Sequence, residues 1–465
     1  MLSSFPTSHS LKAFWLKPGG LRELLKLAIP AGISQACFSL MMFTDRLLLT
    51  PFGKEPPAAS MLGGFTSYLF IVFFCGLLSY ITPLTGQLLG AKQKEKITGL
   101  VHGGIIISLL CYPFILFFGE FFASLYFEWT GVSQKQKELA TLYFNIMNTG
   151  DLFVLMNIIF ASFFSGIGKT SVIMKVNLFG MIVNFPLSYT LIKWAEAESS
   201  FTPIEGAALG SILSSLLMCV IFSMVFLQKE YKEDFGTNLY LKWNSQLVAK
   251  LIHFGSATGF EMTLVFATFS TFVALFHSYG ANEALSATIV LNWEIIAFLP
   301  TFGVSIGLMS LVGKYMGAGE LENAKRSIIS ATLLSLGTML FACFIFITQT
   351  EYLIHIFLPD KNTVTYSTIM PLASTMLKLI CFYCLANGVN LVLSGALRAA
   401  GDTKAVMYIA LIGDWAMLFI AYYMIKIKGF DPTFTWGVFS ANLFFQTILL
   451  GIRFSQGQWK KIRVV

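Results

Sequence analysis

Twelve stretches of about 20 or more predominantly apolar residues follow one another along this chain, and each is long enough to cross a bilayer as a helix. They lie at 24–50, 58–89, 97–119, 138–165, 171–193, 206–227, 247–278, 284–312, 326–349, 365–395, 405–427 and 435–453. Inside lipid a backbone must satisfy its own polar groups, so a run of this kind folds as a helix. The expected fold class is an all-α integral membrane protein with twelve transmembrane helices. Charged residues make up 12% of the chain, about half the roughly 25% of a soluble domain. So little charge cannot clothe several soluble domains, a disordered chain or a coiled coil. Several runs are longer than a single crossing needs, so tilt or extension beyond the hydrocarbon is expected.

The net charge of +7 does not point to nucleic acid. Lys and Arg sit in short clusters between apolar runs, with no basic stripe interleaved with aromatics. The seven cysteines all fall inside apolar stretches, where a thiol packs as a small hydrophobe. Cys381 and Cys384 form a C-x-x-C without the flanking strand or helix terminus of a redox site. The start of the chain lacks the continuous apolar run of a cleavable signal peptide.

Loop charge gives the orientation. One set of joins, including both termini, holds 22 Lys and Arg; the opposite set holds 7. This bias places both termini in the cytoplasm, as an even number of spans requires.

The chain repeats itself. Gly86, Gly90, Ala91 and Glu95 after the second span recur as Gly313, Gly317, Ala318 and Glu322 after the eighth, all four at one constant offset. Ser165 and Gly166 after the fourth span recur as Ser394 and Gly395 after the tenth, at nearly the same offset. Lys26 in the first span pairs with Lys250 in the seventh, at an offset only slightly shorter. Two six-span halves are expected, related by a parallel pseudo-two-fold repeat, as in other transporters built from parallel repeats. The divisions read as a cytoplasmic segment 1–20, an N-lobe 21–227, a polar cytoplasmic linker 228–246, a C-lobe 247–455 and a tail 456–465.

Charges at bilayer depth cost at least ~2.5 kcal/mol on insertion scales, so each calls for a partner, a cavity or a function. The candidates are Asp45 with Arg46, Asp151, Glu261, Glu294, Lys378 and Asp414. Glu261 stands midway along the seventh span among apolar residues. An isolated carboxylate there is expected to bind a proton near neutral pH, or Na⁺ if oxygen ligands are near; pairing with Lys378 is the bland alternative. Asp45 lies toward the outer end of the first span. Arg46, about 100° round the helix, is free to reach outward.

Three features together resemble the multidrug and toxic compound extrusion (MATE) family over residues 21–455. They are Leu25-Lys26-Leu27-Ala28-Ile29-Pro30 with Thr44-Asp45, the paired Gly-x-x-x-Gly-Ala loops, and Gly395-Ala-Leu-Arg398-Ala-Ala-Gly401-Asp402-Thr403. The resemblance implies extrusion of organic, cationic drugs or metabolites, driven by Na⁺ or H⁺ re-entry, through alternating access of two lobes. It implies no cofactor beyond the coupling ion and no enzymatic reaction. In the NorM-like branch a glutamate at the place of Glu261 binds the coupling cation. Tyr383 and Asn387, four apart and so on one helix face, are its implied partners, making a possible Na⁺ site. The family has an acid where this chain has Asn387. The family also has an aspartate at Asp45 and an asparagine at Asn184; an acid often found one turn further on is Ser188 here. Asn184, Asn390 and Asn177 are candidates for the substrate cavity.

Two other functions compete. A lipid-linked precursor flippase needs several Arg inside spans, and only Arg46 and Lys378 qualify. A membrane enzyme needs a His, Asp or Cys cluster at one face, and none is apparent. The expected partners are a small-molecule substrate and membrane lipid, without nucleic acid, for a multi-pass monomer placed in the plasma (inner) membrane if the source is bacterial.

Overall fold

The structure, a computed structural model, describes residues 15–129, 132–197, 201–238, 240–241, 243–358 and 364–465. Lys12, Lys242 and Lys361, three of the loop cations counted above, lie outside the described residues. Twelve helices among the described residues are long and apolar enough to cross a membrane. They are α1 Leu21–Phe52, α2 Glu55–Gly90, α3 Lys94–Glu128, α4 Gln134–Gly166, α5 Thr170–Ala197, α6 Pro203–Phe226, α7 Ser245–His277, α8 Ala281–Gly317, α9 Leu321–Thr348, α10 Tyr366–Ala400, α11 Thr403–Lys428 and α12 Pro432–Ser455. Among the described residues there is no strand. The all-α, twelve-span expectation holds, and each span falls where its apolar run does.

Local chemistry sets the helix ends. Thr202 and Glu205 close a capping box ahead of α6, with Pro203 at its first turn. Asp431 caps α12 by accepting from Thr433 N–H. The repeated loops are repeated helix stops. Gln93 N–H bonds to Leu88 carbonyl at 2.9 Å after α2, and Glu320 N–H to Tyr315 carbonyl at 2.8 Å after α8. These six-to-one bonds need a left-handed residue. It is Gly319 (φ 74) in the second copy and Lys92 (φ 58) in the first.

The chain packs as two compact units. One comprises Ile33–Gly259 with Val465, the other the chain up to Gly32 with Phe260–Val464. The change of unit falls after Gly32 in α1 and after Gly259 in α7, positions related by the same offset as the repeated loops. The opening part of α1 therefore packs with the second unit, where the sequence alone assigned all of 21–227 to one lobe. Small residues allow this. A Cβ on Gly303 of α8 would lie 2.5 Å from Gly32 N, and one on Gly255 of α7 would lie 2.5 Å from Leu77 carbonyl in α2.

The first unit buries Phe127, Phe144, Ile192 and Ala208. A short helix, Lys229–Phe235, lies against it in the linker. There Thr98 donates to Phe235 carbonyl (2.7 Å), His102 Nε2 meets Asn238 carbonyl (2.8 Å), and Lys169 pairs with Glu230 (3.1 Å). The hydrogen bond from Lys169 to Glu230 holds the Lys169 ammonium above the usual lysine value. In the second unit Phe272, Met376, Tyr383, Trp436 and Phe439 form one core, and Leu308, Ala396, Leu397 and Trp459 another. All seven cysteines are free thiols.

Candidate functional site

Asp45 is 3% exposed and faces the interior of the first unit. Three hydroxyls from three helices donate to it: Tyr143 of α4 at 3.2 Å, Ser188 of α5 at 3.2 Å and Ser211 of α6 at 2.5 Å. Asn184, one turn before Ser188, donates to Ser188 at 3.4 Å and to Ser211 at 3.2 Å. Its own Oδ1 is buried and has no hydrogen-bond partner among the described residues. Gly210 makes room for the group: a Cβ there would lie 2.6 Å from Ser188 Cα. Arg46 sits over the Phe65 ring, 5.6 Å from its centroid, rather than in an ion pair with Asp45. The result is a carboxylate in an all-oxygen nest. An ionised carboxylate is stabilised by such donors, and oxygen is the ligand that hard cations prefer.

Asp151, 1% exposed, accepts from Ser67 at 3.1 Å. Asn177 donates to Ser34 at 2.6 Å, tying α5 to α1.

The second unit corrects the expectation for Glu261. That side chain is 5% exposed, yet it is not isolated. Arg398 grips it with two bonds, Nε to Oε2 at 3.1 Å and Nη2 to Oε1. Lys378 is not its partner and is exposed. Arg398 lies in the last turn of α10, and along that helix Tyr383 stands about 22 Å from it and Asn387 about 16 Å. Among the described residues Glu261 bonds to Arg398 and makes no hydrogen bond to Tyr383 or Asn387. Asp414 accepts from Asn442 (3.1 Å) and Gln446 (2.6 Å) near this ion pair.

The Tyr383 hydroxyl and Glu294 Oε2 of α8 are both buried, each without a hydrogen-bond partner among the described residues. Asn387 is half-buried and makes no hydrogen bond to a described residue; Asn390 is half-buried with an unpartnered Nδ2. Sequence reasoning passed over Arg398 and gave Glu294 no role. Arg398 looked like a loop charge because it lies in the last turn of α10. The signal for Glu294 was its depth alone.

Twelve spanning helices with buried carboxylates define a multi-pass integral membrane protein. The MatE family model matches residues 30–190 and again 257–422, so its two matches begin at the offset of the repeat. The chain belongs to the MatE family. It is similar to the probable multidrug resistance protein NorM of Pasteurella multocida, 24% identical over 85% of this chain and 84% of that one. The protein of the same description in Thermotoga maritima is also 24% identical, over 96% of this chain and 94% of the other. Among solved structures, an outward-facing multidrug resistance MATE family transporter of the MOP superfamily superposes with a TM-score of 0.83, at 16% identity over 98% of this chain and all of that one. A MOP superfamily transporter from Pyrococcus furiosus gives 0.85 at 15% identity, with the same coverage. These likenesses share the two-lobe, twelve-helix fold.

Proposed function

We propose that this protein is an antiporter that exports organic cations, driven by Na⁺ or H⁺ moving inward, through alternating access of its two lobes. The relatives described as multidrug resistance proteins support the substrate class. The Asp45 nest carries the coupling reading. A carboxylate buried in a span, surrounded by hydroxyls and an unpartnered amide oxygen, takes a proton on one oxygen or a Na⁺ among several. Ser188, which replaces a carboxylate of the family's pattern, contributes a neutral oxygen, so one negative charge does the work in this half. The loop charges support cytoplasmic termini, and the repeat supports a division of the sequence into six-span halves, 21–227 and 247–455, with the linker 228–246 between them. Arg398 is paired with Glu261, which weighs against a cationic cavity for a pyrophosphate-linked lipid.

Cells expressing the protein should accumulate less ethidium than cells without it, and collapse of the Na⁺ or H⁺ gradient should abolish the difference. Equal accumulation with and without the protein would refute the reading.

A further inference from the structure

We propose that Asp151 of α4 and Ser67 of α2 form a proton-holding clasp in the first unit, distinct from the Asp45 nest. Asp151 stands midway along α4, and both side chains are buried. Ser67 Oγ lies 3.1 Å from Oδ1 and 3.3 Å from Oδ2, so one hydroxyl reaches both carboxyl oxygens. Serine and threonine hydroxyls inside helices often turn back to a carbonyl of the preceding turn, as the neighbouring Thr66 does to Leu62 at 2.8 Å. Ser67 turns across to α4 instead. Among the described residues it is the one hydrogen-bond partner of Asp151.

Hydrogen counting decides the state of the acid. A serine hydroxyl gives one hydrogen and accepts through two lone pairs. An ionised carboxylate has none to give, so its two oxygens would share the single Ser67 hydrogen. A neutral acid supplies a second: its O–H donates to Ser67 Oγ while the Ser67 O–H donates to the carbonyl oxygen. The same two side chains then close two hydrogen bonds, and the two distances fit that ring. The surroundings favour the same state. Helix α6 packs so closely on this turn that a Cβ on Gly150 would lie 2.5 Å from Ile212, and Leu155, one turn further along α4, is buried. The titratable groups that face the clasp are the Cys75 thiol of α2 and the Tyr112 phenol of α3, and that phenol donates to Thr149 carbonyl at 2.6 Å. Among the described residues no Lys, Arg or His pairs with Asp151, and α5 and α6 turn no titratable side chain toward it. An ionised carboxylate without a counter-charge is costly at this depth, whereas the neutral acid is tolerated.

The clasp joins α2 to α4 fully only while the proton is held. When hydroxide takes the proton, forming water, the two-bond ring becomes one shared bond and an unpaired charge is left between the helices. The unfolded chain, with an ordinary aspartate, has already released this proton at neutral pH. The folded protein therefore binds one proton more, and each unit rise in pH lowers its folding constant about tenfold until the folded acid ionises. Stability is lost on the alkaline side. An amide at this position makes the same ring, N–H to Ser67 Oγ and Ser67 O–H to the amide oxygen, with no proton to lose. The clasp stands independently of drug export.

Infrared spectra of the full-length protein in nanodiscs test the protonation. At pH 7 the wild-type spectrum minus that of Asp151→Asn should carry the C=O band of a protonated carboxyl and no ionised-carboxylate band. Ser67→Ala, which removes both hydrogen bonds, should shift that C=O band. An ionised-carboxylate band in its place, or a C=O band that Ser67→Ala leaves unmoved, overturns the proposal. Thermal unfolding of the same samples tests the clasp. Asp151→Asn should fold, melt no lower than the wild type at neutral pH, and gain on it as the pH rises from about 6 to about 9. A variant that fails to fold, or a gap in melting temperature that stays constant across this range, overturns it as well.

Discussion

Replacing Arg398 by leucine leaves Glu261 buried with no counter-charge, and the structure sets the size of the penalty. Breaking a buried pair by removing one partner typically costs about 3–5 kcal/mol. One feature lowers it here. The Arg398 side chain is 18% exposed, so water screens part of the loss. The expected destabilisation is thus about 3 kcal/mol, the low end of that range. The double variant Glu261→Gln with Arg398→Leu should recover most of the loss, because no unpaired charge remains. Thermal unfolding of the purified protein at pH 7, for the wild type, both single variants and the double, measures the cycle. A double variant as unstable as the sum of the singles would refute the reasoning.

Gly210→Ala should cost about 1–3 kcal/mol, the usual range for overpacking, and lower export, since its Cβ collides with the Ser188 backbone beside Asp45; expression level and ethidium efflux check both. Lys92→Gly should raise the melting temperature, because a non-glycine left-handed residue costs about 1–2 kcal/mol. Gly319→Ala should lower it by strain alone, as a Cβ there meets nothing within 4 Å. A cysteine introduced at Glu230 should resist an impermeant thiol reagent applied to intact cells and react after permeabilisation; efficient labelling from outside would invert the topology.

The spans, their number and the repeat were legible because each is written locally, in apolar run length and in helix-stop residues such as Gly317-Ala318-Gly319. Side-chain partnerships were not. Glu261 and Arg398 sit three spans apart in the chain. Nothing in one sequence states which faces of two helices meet. Ser188 read as the absence of an acid, yet it is one of three hydroxyls that hold Asp45, and Tyr143 and Ser211 gave no signal because hydroxyls are common in spans. Asn177, a cavity candidate by type, spends its amide on Ser34. The unit boundary inside α1 was hidden because a continuous helix leaves no mark in its pattern where its packing partner changes.

The central claim is that inward movement of an ion through the Asp45 nest drives export. Ethidium efflux from proteoliposomes holding purified protein, under an imposed Na⁺ or pH gradient, compares the wild type with Asp45→Asn. The amide keeps the volume and removes the charge. The wild type should move ethidium only when a gradient is present, and Asp45→Asn should fold, insert and show no gradient-driven transport. Equal gradient-driven rates in the two proteins would contradict the claim.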